Sequence, residues 1–516
     1  MQLTRKDFHH GFYVLGTGLL LGSLPLSHFA MGLFTFLLLL NWIAEWDWRE
    51  KWQRLLENKQ GLLFSAFYLV MCIGLIKTDN WHNAGQILLS NLVLFFAPII
   101  IISSKPFSER EMNWLYDAFI IGTFIGCVIS VGYWLTHEVA DMREISIFID
   151  HIRFSLCIVL AIVLCIRQVA RKSNMGDLMR IVYLFVALVL TVYIFLAQTL
   201  TGVVVFCLIL VVGVVQALTS ISDPKSKRIT SGLLLGLLCA LAVYVTWITV
   251  DYFHDRDKTI TTTQTALGGE YTFGEELLVE NGHKINYYVC RPELQRAWAL
   301  RSDSTYEGMI EATLIRYLNS KGLHKDYQAV MSLSDKDIRN VERLIANVAY
   351  TQPLGLRRAL YQTYFSVSKY FQDQSIIGSS FMQRMELWKA SWYLAKDNWL
   401  LGVGLGDQKT ELDAQLVKMN SPIAYITNRG CHNQILTYWL TGGILLICYF
   451  MFLLAYPFVG MPKRVTFVYV SLFIIIFCSM WVEDVIDSQT GRMMFAILMP
   501  LVLFNEATNK AASEKV

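Results

Sequence analysis

The sequence predicts an all-α polytopic membrane protein, with about twelve transmembrane helices and one large, mainly helical loop on the outer side. Three observations predict it. Of 516 residues, 54% are hydrophobic and only 16% are charged, with a mean hydropathy of +0.43; soluble domains carry about 25% charged residues. Apolar runs of roughly 17–25 residues, long enough to cross hydrocarbon, recur along the chain. Between these runs, Lys and Arg are distributed very unequally.

The apolar runs fall near 9–24, 29–45, 61–77, 86–103, 114–136, 152–168, 179–198, 201–219, 231–250, 433–459, 465–482 and 490–505. Backbone groups in lipid must bond within their own segment, so each run is expected to be a helix. With the N-terminus inside, the inward segments hold nineteen Lys and Arg residues, whereas the short outward ones hold only Lys77, Arg143, Arg153 and Arg492. By the positive-inside rule both termini are cytoplasmic and the stretch 251–431 is outside. The expected division is therefore 1–250 for nine spans, 251–431 for the loop domain, and 432–516 for three spans with a short tail. The first run reads as a retained helix, since a second span follows at once and no small-residue cleavage site is present. The net charge of +3 reflects topology and gives no reason to expect a nucleic-acid partner.

Eight of the ten cysteines lie in the spans, where thiols behave as small apolar groups. Cys290 and Cys431 are both on the outer side, where an oxidising compartment permits a bridge between them.

The outer stretch is too long for a connector and must fold as a unit. Its first part, "DRDKTITTTQTALGGEYTFGEELLVENGHK", is rich in Thr, Gly and acids and predicts irregular chain or short strands. From Pro292 the period becomes helical. "PELQRAWALRS" and "TYEGMIEATLIRYLNS" are amphipathic, the second ending at Lys321-Gly322. "LSDKDIRNVERLIANVAY" opens with Ser334 as N-cap and Asp337 three residues on. "LGLRRALYQTYFSVSKYF" follows Pro353, and a further helix is predicted from about Ser380 to Asn398. Arg384 and Trp388, four apart, share its face. "LLGVGLG" then breaks the helix at Gly402, Gly404 and Gly406; such glycines either let backbone amides approach an anion or simply stop the helix.

Taken together, Arg384, Trp388, "LLGVGLG" and then "HNQILTYWLTGGI", whose His432-Asn433 lead into a span, resemble the O-antigen ligase and O-antigen polymerase superfamily. The large outer loop followed by three spans is similar as well. The resemblance implies a metal-independent, inverting glycosyltransferase of the bacterial inner membrane, with a periplasmic loop and no cofactor. The implied donor is a glycan on undecaprenyl diphosphate; the implied acceptor is lipid A-core for a ligase, or a growing glycan for a polymerase. Membrane lipids are implied partners throughout.

By the same resemblance Arg384 grips the diphosphate through its planar donor fork, the plainer alternative being a surface arginine. His432 accepts the acceptor hydroxyl's proton or bonds the phosphate, the alternative being an interfacial histidine that caps the span. Trp388 and Gly404 complete the motif as substrate-binding candidates, and Asn433 caps the helix or orients His432. The superfamily's ligases carry Ser-Arg-Gly in an earlier outer turn, where this chain has "AQTLTGVV", with Thr199, Thr201, Gly202 and no arginine. Arg153 is the candidate replacement, against simple snorkelling; Arg357 and Arg358 are weaker ones. In "WVEDVIDSQTG", Glu483, Asp484 and Asp487 stand beside a span end, as a base, as partners of His432 or an arginine, or merely as solvated acids. The first reading is an O-antigen ligase. The alternatives are an O-antigen polymerase, a protein O-oligosaccharyltransferase and, outside enzymes, a lipid-linked glycan flippase. No inverted repeat of the kind many transporters show is visible.

Overall fold

The computed structural model describes residues 4–506 except 138, 140, 141, 172–175, 198, 221–222, 258–259, 261, 276–277, 353–355 and 374–379. Among the sequence expectations, the basic residues Lys172, Lys510 and Lys515, the side chain of Arg143 and the helix-leading Pro353 lie outside what is described. The chain forms two compact units, one from Met1–Gly213 with Gln383–Val516 and one from Val214–Met382. These boundaries differ from the division at 250 and 431. Residues 383–431 pack with the apolar helices because Asp407 accepts from the Asp79 and Asn80 amides and Leu405 N donates to Gly74 O.

All twelve apolar runs are helical. Eight described helices are long and apolar enough to cross a membrane, or nine if one bent pair is a single span. The protein is thus a mostly helical, multi-pass membrane protein. In the first unit, helix His151–Ala170 is central: 78% of its apolar window is buried, against helices Glu109–Thr136, Asp177–Leu196 and Phe467–Ser479. The bent pair is His28–Ala44 and Trp48–Glu57, at 112°. The second member exposes Trp48, Trp52 and Leu56 while Lys51 is buried against Glu45 at 2.9 Å. An amphipathic helix turned off a span in this way suits the plane of the interface.

Helix Gln434–Gly460 is broken at Gly442 and Gly443, the latter with φ +67°. Leu440 is released as an acceptor, taking Val403 N at 2.7 Å, and Ile444 N donates to Trp399 O at 2.9 Å. A Cβ on Gly443 would lie 2.0 Å from Leu400 O, so only glycine lets the two chains meet here. The last apolar run begins as helix Gln489–Met493 and continues through two π-helical stretches, Met494–Leu498 and Val502–Glu506, a form common at functional sites.

The second unit begins at Val214, within helix Leu200–Ser220, and among the described residues holds one short hairpin, Val279–Glu280 with His283–Lys284, as the Thr- and Gly-rich stretch predicts. Helices Arg291–Arg301, Met309–Ser320, Tyr327–Ser332, Asp335–Glu342 and Leu356–Asp373 follow. Trp298, Leu314, Leu318, Val330 and Val341 form its apolar core. Ser334 and Asp337 make the capping box and Gly322 takes φ +67° after Met309–Ser320, as their sequence positions demand. The fully buried Glu280 receives Arg316 through both Nε at 2.9 Å and Nη2 at 2.8 Å, with Asn347 Nδ2 at 2.9 Å. A buried carboxylate is tolerable because its lone pairs are filled in this way.

Candidate functional site

The candidate site forms where helix Ser380–Asp397 from Gln383 onward, the start of Gln434–Gly460 and the loop 480–488 meet, these residues all lying within the first unit. Asn433 is the N-cap: its Oδ1 accepts from the Ile435 amide at 3.0 Å and the Leu436 amide at 3.2 Å, and its Nδ2 donates to Trp481 O. His432, one residue earlier, sits at φ +50°, a left-handed conformation costly for a residue with a Cβ. Asp484 supports it. Its carboxylate accepts the His432 amide at 2.9 Å, the Asn433 amide at 3.1 Å and the Thr437 hydroxyl at 2.5 Å. Burial pushes the Asp484 carboxyl above its usual range, against the pull of Thr437 and the His432 amide.

Glu483, mostly buried, is the electrostatic hinge of the cluster. Its Oε1 is ion-paired with Arg384 and its Oε2 lies 3.3 Å from His432 Nδ1. Burial alone would raise its carboxyl, yet the His432 hydrogen bond and the charges of Arg384 and Arg153 hold it below the usual range. Arg153, at the start of helix His151–Ala170, therefore belongs to the same electrostatic field, and its buried Nε has no hydrogen-bond partner among the described residues. Trp388, one turn beyond Arg384, donates Nε1 to His432 O at 3.2 Å. The i, i+4 spacing thus places Arg384 and Trp388 on either side of the histidine turn.

The structure brings His432, Arg384, Glu483, Asp484, Asn433 and Trp388 together, with Arg153 close in charge. Gly404 is placed otherwise. The amides of Gly402, Val403, Leu405 and Gly406 donate to Asn398 O, Leu440 O, Gly74 O and Thr78 Oγ1, and the Gly404 amide to Leu440 O at 3.4 Å. Those donors are committed to the protein, so the glycine run serves the helix break and leaves no amides for an anion. Asp487 accepts from Gln434 Nε2 at 3.2 Å. In the second unit Arg357 pairs with Asp251 at 2.8 Å and bonds Tyr361, which employs it structurally.

Sequence reading missed Thr437 and Gln434. Thr437 stands four residues after Asn433 and hence on its face, a signal that could have found it; Gln434, whose Oε1 accepts the Ile486 amide at 2.7 Å, carried none. Cys290, in the second unit, and Cys431, in the first, are both free thiols. Cys431 is fully buried and takes a contact from Gln408 Nε2 at 3.4 Å; burial pushes it up to about 12.

A partly buried guanidinium, an imidazole and two carboxylates so arranged can bind a phosphate and move a proton. Residues 348–451 match the family model described as O-antigen ligase. That match takes in Arg384, Trp388 and His432 and supports the O-antigen ligase and polymerase superfamily. No curated protein matches the chain.

Proposed function

We propose that this chain is a membrane glycosyltransferase of the O-antigen ligase type, which moves a glycan from a polyprenyl diphosphate to an acceptor hydroxyl at the outer face of the bacterial inner membrane. The observation that carries the proposal is the Glu483 carboxylate held between Arg384 and His432, at the mouth of a helix that the O-antigen ligase match includes.

With the Nδ1 proton turned toward Glu483, His432 presents the Nε2 lone pair to the acceptor. The acceptor oxygen bonds to the anomeric carbon as its proton passes to Nε2. The bond from that carbon to the diphosphate oxygen breaks, and the electron pair leaves on the diphosphate. Arg384 and Arg153 stabilise that charge. A single displacement inverts the anomeric centre, and the leaving group already carries the energy. Asp484 and Trp388 hold the histidine turn, and Asn433 caps the helix.

The acceptor is lipid A-core in the ligase reading. The polymerase reading is favoured by one feature, "AQTLTGVV": no arginine stands in the turn where the superfamily's ligases carry one. His432→Ala and Arg384→Ala are expected to abolish transfer while the protein still inserts. Analysis of lipopolysaccharide and lipid-linked glycan in these variants separates the readings: long chains on the carrier for a ligase, single repeat units on lipid A for a polymerase. Glycan missing from protein instead would identify a protein O-oligosaccharyltransferase, and normal profiles in both variants refute the assignment.

A further inference from the structure

Helix Trp48–Glu57 turns 112° from the end of helix His28–Ala44, and charged side chains hold the turn. Lys51, buried, donates back to Trp42 O and pairs with Glu45 at 2.9 Å. Its ammonium lies 5.0 Å from the centre of the Trp42 ring and 5.2 Å from that of Trp48. From the first helix, Arg5 Nη2 donates to Ala44 O at 2.7 Å and Lys6 pairs with Asp47 at 2.7 Å. Arg54 pairs with Glu50 at 2.6 Å.

The helix so held has three distinct faces. Lys51 and Leu55 face the protein, where Leu55 packs against the apolar core. Trp48, Trp52 and Leu56, four apart and so on one line, are 41%, 63% and 54% exposed. Trp46 stands just before them, 69% exposed, its ring meeting that of Trp48 edge-on at 6.0 Å. Arg49, Gln53 and Glu57 form the next line and are exposed as well. A single exposed apolar side chain is ordinary; three tryptophans and a leucine side by side mark a contact surface.

Its place in the fold says what it contacts. Along helix His28–Ala44 the exposed residues Phe29, Leu33, Phe36, Leu40 and Ile43 recur every three or four positions, the face that a span turns to hydrocarbon. That stripe stops at Ile43, and the turn lays the next apolar line across its end, at the level where hydrocarbon gives way to headgroups. Tryptophan suits this boundary because its ring is apolar and its N–H polar. Charge does not select the lipid, since four acids balance four bases from Glu45 to Lys59.

We propose that Trp46, Trp48, Trp52 and Leu56 are a docking surface for the headgroup boundary of one bilayer leaflet, and that they take zwitterionic and anionic phospholipid alike. The helix lies flat there, with Arg49, Gln53 and Glu57 toward water.

The test places the photocrosslinker p-benzoyl-L-phenylalanine in the full chain, in place of Trp52, Leu56, Gln53 or Glu57, one at a time. All four side chains are exposed, so no packing is disturbed. After illumination in phosphatidylcholine vesicles, adducts are read by mass spectrometry. Positions 52 and 56 are expected to yield at least about tenfold more lipid adduct than 53 and 57. Exchanging phosphatidylcholine for phosphatidylglycerol is expected to leave that ratio unchanged. Equal labelling of both lines, adducts that require phosphatidylglycerol, or crosslinks at 52 and 56 to a second copy of the chain in place of lipid would each overturn the surface. No residue around His432 takes part, so the outcome is independent of the transferase reading.

Discussion

Replacing Asp484 by Asn tests what keeps His432 in place. The left-handed backbone at φ +50° costs about 1–2 kcal/mol for a residue with a Cβ. Against this stand two amide bonds to a carboxylate, from His432 at 2.9 Å and Asn433 at 3.1 Å, together about 3–6 kcal/mol if each contributes about 1.5–3 kcal/mol. The carboxylate wins by about 1–5 kcal/mol. An asparagine can accept only one of the two amides, as a neutral bond of about 1 kcal/mol, which no longer exceeds the strain. The turn should open, with the His432 and Asn433 amides exchanging with deuterium about fivefold to several-thousand-fold faster. Exchange should be measured by mass spectrometry on peptides covering 428–440, with the Phe467–Ser479 helix as internal reference. If Asp484→Asn exchanges at the parent rate in that turn, the carboxylate is not what holds the histidine.

Glu483 sets a pH limit. Its carboxyl is lowered from 4.5, so the ionised form is favoured in the folded protein; its contribution is full above about pH 4.5 and falls away as pH drops toward the lowered value. The thermal midpoint in detergent should therefore decline on that acid limb, and Glu483→Gln should flatten it. Gly443→Ala should destabilise by about 3 kcal/mol or more, seen as loss of monodisperse protein on heating, whereas Gly85→Ala, with nothing within 4 Å of the new Cβ, should not. Iodoacetamide at neutral pH should leave Cys431 unlabelled until the protein unfolds, because the thiol is buried and pushed up to about 12; labelling in the native state would contradict that burial.

The helices were legible because hydrophobic length and period report directly on a backbone that must satisfy itself in lipid. Ser334 with Asp337, Gly322, and the start of the Ser380–Asp397 helix were equally readable, since caps are local chemistry. The break at Gly442-Gly443 was not. It is decided by what Trp399 and Val403 offer from forty residues away, and an apolar run looks the same whether its ladder is continuous or interrupted. The bend into Trp48–Glu57 and the π-helical stretches escaped for the same reason. Within the site, His432, Arg384 and Trp388 were visible through their spacing, and the acids through their position beside a span. Their pairing was hidden, because one residue separates a carboxylate that carries charge for Arg384 and His432 from one that carries the backbone. Gly404 shows the converse: a spacing suited to anions is used by the chain to approach itself.

The joint between Leu400–Gly406, Gly74–Thr78 and Leu440–Ile444 is made of main-chain bonds apart from the Gly406 amide's bond to the Thr78 hydroxyl. Beyond that hydroxyl, its strength depends on four glycines staying bare, Gly74, Gly402, Gly406 and Gly443, where a Cβ would meet a backbone oxygen. Drift in the neighbouring apolar residues can therefore change how the protein meets its lipid without disturbing the angle at which the histidine-bearing helix enters the bilayer. Selection can retune the lipid-facing side of the molecule while the backbone around His432 stays mechanically insulated.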